Sequence, residues 1–122
     1  MTGRLGVPEF SSLHERLEAA LSDTSDVFVG HEADSQSYLS GLADSIRLNA
    51  CEPFQVTATV MPPGFADLTV GSAISGLCVA HRDGYWLVYD PVRDRFYCFW
   101  GESPGNLGAH GVSGSPMYCW SA

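Results

Sequence analysis

Cys51, Cys78, Cys98 and Cys119, with His14, His31, His81 and His110, are the residues with which this chain could run nucleophilic chemistry. A cysteine attacks as its thiolate, so it needs an imidazole or a helix N-terminus beside it. Cys78 and His81 lie three residues apart, and in a regular strand that spacing sends them to opposite faces. Cys51 precedes Glu52 and Pro53 with no activating signature nearby. The four cysteines are separated by 27, 20 and 21 residues, so no C-x-x-C motif exists for zinc or redox work. Inert thiols in a core are the reading that follows, with a Cys78–Cys98 bridge open only if their strands meet.

Carboxylates give the second set of reactive groups. His31, Glu32 and Asp34 sit in one acidic stretch, GHEADS, without the second histidine that an H-E-x-x-H metal site requires. Asp83, Asp90 and Asp94 are close in sequence but fall in or beside turns, where aspartate bonds the local backbone. Gly101–Gly114 holds five glycines but no phosphate-binding motif, and the chain has no lysine to assist one. No cofactor and no metal are expected.

Net charge is −8, and it is uneven: residues 1–52 carry nine acidic and three basic side chains. That sign repels phosphate backbones and anionic lipid surfaces, so neither nucleic acid nor membrane is an expected partner. A basic protein would be attracted and steered. With 122 residues, 45% hydrophobic and 16% charged, the composition fits one globular domain, 1–122. The start MTGRLGVPEF has no secretory leader pattern, which sets a cytoplasmic location as the expectation.

These groups must be positioned by helices first and strands after. Ser12 with Glu15 forms a capping-box pattern, and Leu13, Leu17, Ala20 and Leu21 follow on one helical face. Val27–Val29 reads as a short strand. A second helix is predicted over Ser35–Leu48, capped by Asp34 or Ser35, with Leu39, Leu42, Ala43 and Ile46 inward and Asn49 as its stop. Phe54–Val60 alternates as a half-buried strand, and Leu68–Val70 is a further strand candidate. Gly76–Trp100 is an antiparallel meander turned by Asp83-Gly84 and by Asp90–Asp94. Gly101–Gly114 reads as a loop and Met117–Trp120 as a last strand. The fold class is α+β: two N-terminal helices packed on an antiparallel sheet containing a C-terminal β-meander.

Both faces of that meander are apolar. Tyr85, Leu87 and Tyr89 alternate with Trp86 and Val88, and Phe96, Cys98 and Trp100 with Tyr97 and Phe99. Either this chain covers both faces or one awaits a partner. The pattern points to a non-catalytic protein-binding module, most concretely a bacterial immunity or antitoxin-type inhibitor that masks a basic toxin active site. Glu32, Asp34, Asp83, Asp90 and Asp94 would supply charge, and Tyr85, Tyr97 and Trp100 apolar anchors. The alternatives are a small enzyme or ligand-binding domain with Cys51 and His110 near the Gly-rich stretch, and a secretion chaperone or adaptor. Against the last, no C-terminal helix is expected.

Overall fold

A computed structural model describes residues 10–22 and 35–121. Two helices come first, α1 (Phe10–Ala20) and α2 (Ser35–Leu48). Five strands follow: β1 (Ala50–Val60), β2 (Ala73–Arg82), β3 (Tyr85–Asp90), β4 (Arg95–Trp100) and β5 (Leu107–Gly114). A short helix, α3 (Pro116–Ser121), ends the described chain. The chain is α+β, as its pattern predicts. No described helix is long and apolar enough to cross a membrane.

The strands run up and down in sequence order and close into a barrel. With five alternating strands, the first and last point the same way, so the closing pair must be parallel. β1 and β5 do pair in parallel, Ala58 opposite Leu107 and Val60 opposite Ala109. Closure accounts for the two apolar faces. All five strands contribute to the interior cluster, which includes Val56, Val60, Ile74, Cys78, Trp86, Val88, Tyr97, Phe99 and Leu107. The outer face of β2–β4 presents Val79, Ala80, Leu87, Phe96 and Cys98 to Leu13, Leu17, Ile46, Met117 and Trp120 of the three helices. Fully enclosed side chains such as Ile46, Leu87 and Phe99 each contribute about 2 kcal/mol of apolar burial. The chain thus covers most of both faces itself.

Irregular pairing shapes the barrel. Registers shift between Ala50 and Phe54, between Cys78 and Ala80, and between Tyr97 and Phe99, and such bulges bend strands enough to close a small barrel. Asp83 and Gly84 both adopt positive φ, 43° and 84°, the tight hairpin that an Asp-Gly pair specifies.

Several expectations change. α1 is described from Phe10, so Ser12 lies within the helix rather than at its start. Asn49 does stop α2, its amide donating to the Ser45 carbonyl at 2.8 Å. Leu68–Val70 forms no strand and contributes only the single bridge Phe65–Leu68. Most of the Gly-rich stretch is β5: Leu107 and Ala109 point into the barrel, while a Cβ at Gly111 would stand 2.7 Å from the Gly64 carbonyl oxygen. Met117–Trp120 is helical, because Ser115 accepts the Tyr118 amide at 3.1 Å and Pro116 opens the helix. That removes the objection to a chaperone, yet α3 buries four of its six residues and offers little free surface. Val27–Val29 and the Asp34 cap lie outside the described residues.

Candidate functional site

The barrel has two ends, and the charges predicted to act together are divided between them. One end carries the β3–β4 turn with Asp90 and Asp94; the other carries the β2–β3 hairpin with Asp83. Glu32 and Asp34 lie outside the described residues.

At the β3–β4 end the carboxylates are already engaged. Asp90 is 2% exposed, and its carboxylate accepts from the amides of Val92 (2.9 Å) and Arg93 (3.2 Å), the Arg93 guanidinium (3.1 Å) and the Tyr97 hydroxyl (2.9 Å). Burial opposes its ionisation, but the bonds from Tyr97 and Arg93 outweigh that and hold the carboxyl below its usual range. Asp67 accepts from Arg93 at 3.1 Å and Arg95 at 3.0 Å. Asp94 accepts from the Tyr89 hydroxyl at 2.6 Å and from Arg16 at 3.1 Å. Three carboxylates therefore face three arginines and cancel. Asp90 and Tyr97 were expected to reach a partner. Tyr97 is fully buried inside the barrel, stacked on Phe99 and pinned between Arg95 and Asp90. Neither side chain is available at the surface, because each satisfies the other.

The hairpin end differs. Asp83 is exposed in the turn. Gly101 donates its amide to the Gly84 carbonyl at 3.1 Å, which sets the exposed Glu102 beside that turn. Ala50 pairs with Ala80, and the His81 amide reaches the Asn49 carbonyl at 3.2 Å, which brings the exposed Glu52 to the same rim. Among the described residues no arginine pairs with Glu52, Asp83 or Glu102. Among the described residues Arg82 is the arginine at this end; it lies over Trp120 at 4.6 Å and donates to the Ser45 hydroxyl at 2.8 Å. It serves to tie α2, α3 and the hairpin together.

Aromatic rings fill this end. Tyr85 and Trp100 face each other across β3 and β4 at 5.8 Å, half-buried against the helix-covered side. On the interior side His81 stacks on Trp86 at 4.6 Å, with Phe54 edge-on to both. The Trp86 ring is held by a 2.9 Å bond to the Gly101 carbonyl. Of the eight expected residues, Asp83, Tyr85 and Trp100 meet at this end; Glu52, Glu102, His81, Trp86 and Phe54 join them. Nothing in sequence separation flags Glu52, because only barrel closure and the β1–β2 register bring it there. An acidic rim around aromatic rings is suited to cationic side chains, through charge and cation–π attraction.

The cysteine–histidine reading fares differently. The bulge at Val79 restores Cys78 and His81 to one side of β2, since their partners Val88 and Trp86 share one face of β3. That corrects the regular-strand expectation. Cys78 nevertheless gives its hydrogen bond to the Ala80 carbonyl, and the neighbouring Cys51 together with burial pushes its thiol far up. Burial raises the Cys98 thiol to about 12. His110 packs edge-on against Trp100 at 5.6 Å. No disulfide joins Cys78 to Cys98, and none involves Cys51 or Cys119. Three clefts of about 480, 470 and 260 Å³ are lined by residues such as Leu39 and Met117, Arg16 and Phe96, and Gln55 and Val92, and none of the three contains a cysteine or histidine. Among the described residues no group of three side chains could hold a metal ion. No protein-family model, curated protein or solved structure matches this chain.

Proposed function

We propose that this chain is a non-catalytic protein-binding module that covers a basic partner with its hairpin end, in the manner of a bacterial immunity or antitoxin-type inhibitor masking a toxin's basic active site. One observation carries the reading. The carboxylates of the β3–β4 end are neutralised by Arg16, Arg93 and Arg95, whereas Glu52, Asp83 and Glu102 have no arginine partner among the described residues. Three described carboxylates without an arginine partner therefore lie at the end that carries Tyr85, Trp100 and the His81–Trp86 stack. Charge complementarity of this kind steers encounter and selects partner sign.

The test is capture on the immobilised chain from the native host's lysate, followed by affinity measurement with the purified partner. A basic protein is expected, with affinity that falls as salt rises from about 50 to about 500 mM. Recovery of no basic protein, together with a marked rise in melting temperature on adding a small metabolite, would overturn the reading in favour of a ligand-binding domain.

A further inference from the structure

Two cysteines sit together where β1 and β2 are most irregular. Ala50 pairs with Ala80 and Phe54 with Cys78, so residues 51–53 are looped out against Val79. Within that bulge the Cys51 thiol donates to the Cys78 carbonyl at 3.7 Å, and Cys51 packs against the barrel-interior cluster that contains the Cys78 side chain. Cys51 is half-buried and reachable; Cys78 is enclosed. Such an arrangement has an outer thiol that can be attacked or attack, and an inner one that can resolve it.

We propose that Cys51 and Cys78 are a redox pair that closes to an intrachain disulfide when a low-molecular-weight disulfide is present. The Cys51 thiolate attacks one sulfur of R–S–S–R, forming a mixed disulfide and expelling one RS⁻. The Cys78 sulfur then attacks the Cys51 sulfur, its proton leaving to solvent or to the departing thiolate, and a second RS⁻ is released. The protein loses two hydrogens and the small disulfide is reduced to two thiols. The contact with Cys78 favours ionisation of Cys51, which makes Cys51 the first to react. Cys98 and Cys119 are buried and take no part. The looped-out residues of β1 give the backbone slack that a disulfide's strict geometry demands. Closure would fix the start of β1, and Glu52 with it, to β2. This proposal stands independently of the docking reading.

The experiment is incubation of the folded protein with excess glutathione disulfide, then alkylation under denaturing conditions and peptide mapping by mass spectrometry. The wild type is expected to show one Cys51–Cys78 link. Cys78→Ser is expected to stop at a glutathione adduct on Cys51, and Cys51→Ser to keep its three remaining thiols free. Cys51 is half-buried, so Cys51→Ser remains informative if Cys78→Ser fails to fold. A wild type that stops at the adduct, forms a different link, or does not react overturns the proposal. So does an internal link in Cys51→Ser.

Discussion

Replacing Asp90 by alanine is expected to cost about 2–4 kcal/mol of stability, and the structure shows where that figure comes from. The enclosed Tyr97 hydroxyl donates to Asp90 at 2.9 Å and would be left with a buried proton and no acceptor, a loss of about 1–3 kcal/mol. The Val92 and Arg93 amides lose the carboxylate that shapes the β3–β4 turn, worth about 1 kcal/mol together because both border solvent. Arg93 is 38% exposed, so solvent screens its ion pair, which adds little. Tyr97→Phe alone removes the donor rather than orphaning it and is expected to cost about 1 kcal/mol. The double variant should fall short of additivity by about 1–2 kcal/mol, as contacting groups do. Urea unfolding followed by tryptophan fluorescence measures all four corners, since Trp86 is inside the barrel and Trp120 beneath the helices. A cost below about 1 kcal/mol for Asp90→Ala, with strict additivity, would refute the burial of Asp90 and return it to the solvent-facing role that its turn position suggests.

Other expectations follow from the same contacts. Gly76→Ala would place a Cβ 2.6 Å from Val88 Cγ1 and 2.8 Å from the Tyr89 carbonyl oxygen, so overpacking should cost about 1–3 kcal/mol in the same unfolding assay. Arg82→Ala removes the guanidinium from over Trp120 and from the Ser45 hydroxyl, and a loss of about 1–2 kcal/mol is expected; the Trp120–Ser45 bond at 3.0 Å remains. Asp90 and Asp94 have carboxyls held below their usual range, the first by Tyr97 and Arg93 against the opposing effect of burial, the second by Tyr89 and Arg16. A lowered folded pKa gives stability that is complete above the unfolded value of about 3.9 and is lost as pH falls through the folded one. Unfolding midpoints should therefore hold steady above about pH 5 and drop below about pH 4, less steeply in Asp90→Asn.

Local signals were legible where a few adjacent residues decide the geometry. The Asp83-Gly84 turn, the span of α2 and its Asn49 stop are of this kind. Features set by distant contacts were not. Alternation in β3 and β4 revealed two apolar faces, but the parallel β1–β5 pairing that covers one of them joins residues nearly fifty positions apart. Glycines at 108, 111 and 114 read as loop, although in β5 they permit close passage beside residues 61–64 and the bulge next to β4. Met117–Trp120 is too short for periodicity to separate helix from strand; the Ser115-Pro116 start was the usable cue. The candidate site was legible in part. Asp83, Tyr85 and Trp100 converge as their meander positions imply, whereas Asp90 and Tyr97 found each other inside, an outcome that depends on the Asp67–Arg95 clamp from another loop.

The direct test of the docking reading removes two charges from one end or the other at equal net charge. Asp83→Asn/Glu102→Asn and Asp67→Asn/Asp94→Asn each make the chain less negative by two, so any difference in partner affinity reports position rather than total charge. Calorimetry against the captured basic partner is expected to show about a 5- to 30-fold loss for the hairpin-end pair, from about 0.5–1 kcal/mol per rim charge, and less than about a twofold change for the β3–β4 pair. Equal losses from the two ends, or a larger loss from the β3–β4 pair, would contradict the assignment of the hairpin end as the docking surface.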